Sequence, residues 1–336
     1  MDFMEIVNTM KFSKLYKIIY IFFAICLSFA CSACEKKDSV SAGMKEETSV
    51  SLPESPVPAS VGKEKGSRDN TPEVLTPVAA ETTTFKCDVA TIDASNTSEG
   101  YVIVSYTGSS KKVKLQITGT NSITYTYNLT NGPEVFPLSA GSGDYTVAVY
   151  ENVTGNQYAT AMSEVISVTI TNTFGPFLYP NQYVNFTASS RTVTTGMELA
   201  KSADNDLDVV SNIYNYVISN ITYDYQKAET VQSGYIPDVD STLTSKKGIC
   251  LDYAALMSAM LRSQRIPTRL EVGYAGDAYH AWISTYIKEV GWVNGIIEFD
   301  GKNWALMDPT FAANSSEKAL KNFIGDGSNY TTKYIY

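Results

Sequence analysis

Short stretches in which apolar and polar residues alternate fill the chain between about residues 84 and 172. A period of two is typical of strands that bury one face. Glycine-rich turns separate the stretches at a spacing of roughly 8–12 residues, which predicts a β-sandwich of the immunoglobulin or fibronectin kind over residues 83–172. The alternating stretches are Val113–Ile117, Ile123–Tyr127, Tyr145–Val149 and, less regularly, Val165–Ile170, and they follow a run of strand-forming residues at Tyr101–Tyr106.

The pattern changes beyond residue 173, where helices and strands mix and predict an α+β domain over 173–336. Apolar residues from Leu207 to Ile221 recur at helical spacing, and Asp204 or Asp206 is expected to cap that helix. Residues 250–263 form a second predicted helix, apolar on nearly all sides and therefore buried. The predicted strands are Thr268–Tyr274, His280–Ile287, Ile296–Phe299 and Trp304–Met307.

The first 34 residues read as an export signal rather than as part of the fold. Lysines precede an apolar run from Ile18 to Ala30, which is too short for a membrane span of roughly 20 residues. A cysteine after small residues follows, as in a bacterial lipobox. We expect Cys34, or alternatively Cys31, to be lipidated, which places the protein on the cell surface or in the periplasm by a membrane anchor. Cleavage with release is the alternative.

Residues 35–82 are rich in Ser, Glu, Lys, Pro and Thr and poor in large apolar residues. Such a segment buries too little surface to offset its chain entropy, so we predict a disordered tether. The whole chain carries a formal net charge of −9 without a run of Lys or Arg, which argues against a nucleic-acid partner. The chain has one histidine, which excludes a His-rich metal site, and no metal or other cofactor is implied.

Three residues point to nucleophilic chemistry. Cys250 opens the buried helix, where unpaired N–H groups favour thiolate over thiol. His280 follows on a strand, and if the helix packs on that sheet, it can take the thiol proton. Asp308 ends a later strand and can orient the imidazole. The remaining cysteine after the signal, Cys87, is expected to be unpaired, as is Cys250.

The surrounding sequence resembles the transglutaminase-like superfamily, the papain-like group of α+β folds. The resemblance rests on residues 248–254 (GICLDYA), 262–269 (RSQRIPTR), Gly273-Tyr274, His280-Ala281-Trp282, Trp304 and Asp308-Pro309-Thr310. It implies a Cys250 nucleophile, a His280 base and an orienting Asp308. Further candidates are the Cys250 backbone N–H, Tyr235 and Tyr223 as oxyanion donors, with Trp282 and Trp304 as walls of the acyl site.

Two departures from the family pattern matter. Leu251 stands where the animal cross-linking enzymes usually carry Trp, so the chain looks like the bacterial, exported branch. Arg265 stands where the family usually has Gly before Ile-Pro. We expect Arg265 to be left-handed and mildly strained, so that Arg265→Gly is neutral to stabilising.

The resemblance leaves three functions open. The preferred one is a cysteine peptidase or amidase that hydrolyses a protein or peptide substrate, such as a cell-wall or surface protein. A protein-glutamine transglutaminase uses the same triad but admits an amine instead of water. A non-catalytic surface-binding lipoprotein is the third, although relatives of that kind usually lose the nucleophile or the base.

Overall fold

The computed structural model of the chain describes residues 65–288, 291–294, 296–299, 304–307 and 330–336. Residues 84–168 contain β1 (Thr84–Lys86), β2 (Ala90–Asp93), β3 (Tyr101–Tyr106), β4 (Val113–Thr118), β5 (Thr124–Leu129), β6 (Gly132–Pro137), β7 (Gly143–Thr154) and β8 (Gln157–Val168). They form two four-stranded antiparallel sheets, ordered β1-β2-β3-β6 and β5-β4-β7-β8. Short 3₁₀ turns lie at Thr97–Glu99 and Gly175–Phe177.

The two sheets bury facing sides. In β4, the first, third and fifth residues are buried and the others are partly exposed, as the alternation predicts. The ring of Tyr127 on β5 lies 4.7 Å from that of Phe136 on β6, so side chains of both sheets share one core. The pattern misses β1, β2 and β6. Strand β6 contains Pro133 and Pro137, which are tolerated because it is the edge strand of its sheet.

The rest of the described chain combines five helices with short and long strands. A four-stranded antiparallel sheet has the order β13-β12-β11-β16, β14 pairs with β15, and β9 runs parallel to β10. The elements are α1 (Arg191–Ala200), α2 (Asp206–Asn220), β9 (Thr222–Tyr223), α3 (Tyr225–Thr230), α4 (Val239–Ser245), β10 (Lys247–Gly248), α5 (Cys250–Ser263), β11 (Thr268–Ala275), β12 (Ala278–Ile287), β13 (Gly291–Asn294), β14 (Ile296–Phe299), β15 (Trp304–Met307) and β16 (Tyr330–Ile335).

Helix α5 is the centre of this region and has the bounds that the sequence predicts. It packs on α1, α2 and α4 on one side and on β11 and β12 on the other. All of its residues from Asp252 to Ser263 are buried. Helix α1 approaches it closely at Gly196, where a Cβ atom would lie 3.3 Å from Met260.

The cap of α2 differs from the prediction. Asn205, rather than Asp204 or Asp206, is the N-cap, and its side chain accepts a hydrogen bond from the Asp208 N–H at 3.0 Å. Asp206 and Asp208 lie in the first turn instead, where negative charge complements the helix dipole. Among the described helices, none is both long and apolar enough to cross a membrane.

The predicted tether is too long at its C-terminal end. Residues 65–82 form neither helix nor strand but lie on the folded protein, although their composition predicts disorder. Polar contacts that the composition does not reveal hold them. Arg68 bonds the Asp206 carboxylate at 2.6 Å and the Gln264 carbonyl at 2.5 Å. The Gly66 N–H donates to the Lys201 carbonyl, and the Glu73 N–H donates to the Ser263 carbonyl. The Glu81 N–H donates to the Asp93 carboxylate.

Arg265 belongs to the same attachment. Its φ is 63°, which confirms the left-handed conformation expected from the sequence. Its guanidinium donates to the backbone carbonyls of Thr71, at 2.5 Å, and Asp69, and it pairs with the Asp69 carboxylate at 3.4 Å. The expected gain from glycine at this position is therefore offset by lost contacts to residues 65–82.

Tyrosines join the strand-rich region to the helical region. Tyr125 and Tyr127 on β5 lie 5.5 and 5.9 Å from the ring of Tyr336, which in turn lies 4.6 Å from Tyr183. Tyr334 contacts Tyr125 at 5.4 Å. Burial raises the pKa of Tyr183 to about 12 and holds those of Tyr127 and Tyr336 well above the ordinary range.

Arg262, in the last turn of α5, is 1% exposed. Its guanidinium donates to the carbonyls of Thr268 at 3.0 Å, Tyr179 at 2.8 Å and Tyr336 at 2.9 Å. Burial lowers the pKa of Arg262 to about 9, because the apolar surroundings disfavour the charged form. Three distant segments of backbone thus meet at one side chain.

We expect Arg262→Met to lower the free energy of unfolding by about 3 kcal/mol or more, because it leaves buried carbonyls without donors. Arg191→Met is the matched control, since Arg191 is exposed; its effect should stay within about 0.5 kcal/mol. Urea unfolding followed by circular dichroism measures both. Equal effects of the two substitutions would contradict the role assigned to Arg262.

We expect the free energy of unfolding to fall as the pH rises from 10 to 12. Phenols with raised pKa keep their protons in the folded state after the unfolded chain has lost them, so their stabilisation is complete below pH 10 and is lost through pH 12. Tyr183 alone accounts for a loss on the order of 2 kcal/mol. Urea unfolding at several pH values should show a shallower decline for Tyr183→Phe than for the unchanged protein.

We expect Arg265→Gly to be more stable than Arg265→Ala by about 1 kcal/mol, because both remove the guanidinium contacts but only glycine relieves the positive φ. Neither variant should be more stable than the unchanged protein. Thermal unfolding of the three proteins tests this order. A glycine variant more stable than the parent would show that the contacts to residues 65–82 contribute less than the relief of the positive φ.

Candidate active site

Cys250 is the first residue of α5 and is a free, partly buried thiol. Ile249 is the N-cap residue in extended conformation, so the chain turns sharply into the helix at the cysteine. The first N–H groups of a helix have no partner within it and present partial positive charge. The structure therefore places Cys250 at the start of the helix, where the sequence predicts it. Cys87 is likewise a free thiol and is exposed.

The segment before Cys250 is fixed by a parallel pairing of two short strands. In this pair, Gly248 of β10 lies opposite Tyr223 of β9, and the Asp224 N–H donates to the Gly248 carbonyl at 2.9 Å. A Cβ atom on Gly248 would lie 2.7 Å from the Cβ of Asp252. Glycine is therefore required two residues before Cys250 because the first turn of α5 folds back over it.

The Asp252 carboxylate, in that first turn, is completely buried. Its Oδ2 accepts the Ile249 N–H at 2.8 Å, which satisfies one of the free donors at the helix start. The same oxygen receives Lys227 Nζ at 2.6 Å. Its Oδ1 accepts the Tyr235 hydroxyl at 2.5 Å. The sequence analysis contains Asp252 only as part of the motif at residues 248–254 and did not single out Lys227.

This geometry removes Tyr235 from the candidate oxyanion donors. A phenol has one proton to donate, and that proton is directed to Asp252. Burial, together with this bond, holds the pKa of Tyr235 well above its ordinary value, so the side chain stays a neutral donor. Tyr223 lies beside the nucleophile segment, with its ring 5.0 Å from that of Tyr225. Its role as an oxyanion donor stays a prediction.

His280 lies on β12, one of the two strands on which α5 packs, which is the arrangement that the sequence required. It is 7% exposed, and it lies opposite Gly273 in the register of β11 and β12. The ring of Trp282 lies nearly parallel to the imidazole, 6.4 Å away, and contacts Tyr330 edge-on at 5.0 Å. Trp282 is itself buried, and its role as a wall of the acyl site stays a prediction.

Tyr279 is a neighbour of Cys250 that the sequence analysis did not single out. It faces Tyr274 across the strand pair, with ring centroids 5.5 Å apart. Burial is the main reason why the pKa of Tyr279 is raised, and Cys250 is among the neighbours that add to the shift. Only its position directly before His280 could have drawn attention to it.

Several predicted residues lie outside the described part of the chain. These are Asp308 and the two cysteines of the lipobox, Cys31 and Cys34. Trp304 is the first residue of β15 and pairs with Phe299 of β14, which confirms the predicted strands at this point. Within the described ranges, no group of three His, Cys, Asp or Glu side chains could hold a metal ion.

Residues 193–295 match the family model of the transglutaminase-like superfamily. This match contains α5, β11 and β12, and it confirms the resemblance drawn from the sequence. The remaining part of the chain, including the two sheets of the strand-rich region, lies outside the match.

Two curated proteins are similar to the chain. UPF0252 protein MJ1282 of Methanocaldococcus jannaschii is 29% identical over 244 residues, which is 65% of this chain and 67% of the relative. Uncharacterized protein YebA of Bacillus subtilis is 25% identical over 185 residues, which is 48% of this chain. The chain spans only a quarter of the length of YebA.

The solved structures to which the chain is similar include the periplasmic domain of TgpA from Pseudomonas aeruginosa. It is 14% identical, with a TM-score of 0.31, over 68% of this chain and 95% of that domain. Red sea bream transglutaminase is also 14% identical, with a TM-score of 0.23, over 62% of this chain and 48% of the enzyme.

Proposed function

We propose that the chain is an exported, thiol-dependent acyl-transfer enzyme that acts on peptide or carboxamide bonds, chiefly by hydrolysis. One observation carries the proposal. Cys250 opens a buried helix that packs on the strand carrying His280, and both lie in the segment that matches the transglutaminase-like superfamily. The match itself covers cysteine peptidase and transglutaminase chemistry alike, so the reaction is the part that we propose.

In the proposed reaction, His280 takes the thiol proton and the Cys250 sulfur attacks the substrate carbonyl carbon. The Cys250 backbone N–H stabilises the oxyanion of the tetrahedral intermediate. His280 then gives its proton to the departing amine or ammonia, which leaves a thioester. Water then attacks the thioester while His280 takes a proton from that water. The carboxylic acid product leaves, and His280 returns the proton to the Cys250 sulfur. Asp308 is assigned the orientation of the imidazole.

Hydrolysis is preferred to transamidation because an exported enzyme meets abundant water, and the sequence shows no lysine-binding feature. Export and anchoring rest on residues 1–34, with Cys34 or Cys31 as the lipidated residue. A protein or peptide at the cell surface is the proposed substrate. A transglutaminase would incorporate a primary amine into the acyl product, and this outcome separates the two reactions.

We expect Cys250 to alkylate well below pH 8 and faster than Cys87, which is the internal reference in the same chain. His280→Ala should lower the alkylation rate of Cys250 at least tenfold, because no base remains to take the thiol proton. Alkylation with iodoacetamide, followed by mass spectrometry of the two cysteine peptides, measures both rates on protein beginning at residue 35.

Activity provides the second readout. Cys250→Ala and His280→Ala should abolish ammonia or peptide release from substrate peptides, whereas Cys87→Ala should not change it. Asp308→Ala should cost no more than His280→Ala, since it orients rather than reacts. Turnover retained in Cys250→Ala would contradict the mechanism. An alkylation rate of Cys250 no higher than that of Cys87 would favour the binding-protein alternative.

A further inference from the structure

Asp252 places a buried negative charge in the same helical turn as a nucleophile that must itself become negative. Its carboxylate bonds the Ile249 N–H, directly before Cys250 in the chain. Like charges in a poorly solvated site repel strongly. An uncompensated Asp252 would therefore disfavour the Cys250 thiolate, on which the proposed function rests.

Lys227 supplies the compensating charge. Its ammonium lies 2.6 Å from Asp252 Oδ2, and the Lys side chain is 29% exposed, so the positive end is only partly open to water. The ammonium also donates to the Tyr235 hydroxyl at 2.6 Å and lies 4.2 Å from the centre of that ring. The lysine is held between the carboxylate and the phenol in one position.

Tyr235 completes the arrangement from a third segment of chain. With the Lys227 ammonium and the Ile249 N–H, its hydroxyl gives the carboxylate three donors, each from a different part of the chain. A buried carboxylate satisfied in this way has a fixed orientation. The loop that carries Tyr235 also contacts the strand-rich region, because a Cβ atom on Gly234 would lie 1.7 Å from Asn128 Nδ2.

We propose that Lys227 and Tyr235 are positioning residues for Cys250. Acting through Asp252, Lys227 cancels the charge that would oppose the thiolate, and Tyr235 fixes the carboxylate that holds the start of α5. The titratable groups that this assignment involves are Asp252 of α5, its partners Lys227 of α3 and Tyr235 of the loop before α4, and two residues of β12, His280 and Tyr279, of which Tyr279 interacts electrostatically with Cys250.

A charge cycle tests this assignment. Lys227→Met keeps the length of the side chain and removes its charge, and it should move the pH midpoint of Cys250 alkylation upward and slow alkylation at pH 7 about tenfold. Asp252→Asn added to Lys227→Met removes the opposing charge and should restore most of that rate. Lys227→Arg should keep the rate of the unchanged protein within about threefold.

The measurement is iodoacetamide alkylation between pH 5 and 10 on protein beginning at residue 35, with Cys87 as the internal reference and the melting temperature recorded for each variant. Lys246→Met is the matched control, because Lys246 is exposed and makes no ion pair in the described part of the chain. It should leave the profile of Cys250 unchanged.

Three results overturn the proposal. One is an unchanged pH profile in Lys227→Met. Another is a double variant as slow as Lys227→Met, which would show a structural loss rather than a charge effect. The third is the same shift in Lys246→Met.

Tyr235→Phe provides a variant that keeps the ring and the local packing. It should retain the melting temperature within a few degrees and slow the alkylation of Cys250 by about threefold, with Cys87 unaffected. An unchanged rate would remove Tyr235 from the assignment. If Cys250 in the unchanged protein is no more reactive than Cys87, the proposed function fails. If it is reactive and the Lys227 and Tyr235 variants match it, only the present inference fails.

Discussion

The burial of Arg262 constrains more of this structure than any other single contact described. A guanidinium without a carboxylate partner is tolerated in an apolar interior only when its donors are satisfied. Here they are satisfied by three backbone carbonyls, from the start of β11, from Tyr179 and from Tyr336. Because carbonyls cannot move independently of the backbone, the end of α5, the sheet and the segment leading in from the strand-rich region are held in one geometry, and the position of Cys250 at the other end of the helix depends on it.

Helix α5 carries one buried charge near each end, and the signs agree with its dipole. Asp252 lies in the first turn and Arg262 in the last. Neither is satisfied by the helix alone. Asp252 accepts hydrogen bonds from α3 and from the loop before α4. Arg262 donates hydrogen bonds to backbone carbonyls of other segments, among them Tyr179, which is distant in sequence. The helix is thus fixed along its axis at both ends, and Cys250 lies at the end where polar side chains that single substitutions can change hold the helix.

The sequence predicts those features that have a period or a local motif. Helix α5 is found with the predicted bounds, and β3 and β14 are as well, because apolar patterning and turn residues act over a few neighbours. The sequence does not predict strand β6, because its prolines argue against a strand unless its position at the edge of the sheet is known. The docking of residues 65–82 and the bonds from Lys227 and Tyr235 to Asp252 escape for another reason. They join polar residues distant in sequence, whose composition matches that of solvated loops, so no local pattern marks them. Arg265 lies between these cases, since its conformation followed from its place in the family pattern but its contacts did not.

The close approach of Gly234 to Asn128 ties the evolution of two regions together. A larger residue at 234, or a displaced β5, would press on the same short loop that delivers Tyr235 to the nucleophile helix. Substitutions in β5 therefore affect the position of Tyr235 as well as folding, and exchanging the strand-rich region for an unrelated one would require a compensating change in the loop. Covariation between positions 128 and 234 is the expected trace of this contact in related sequences.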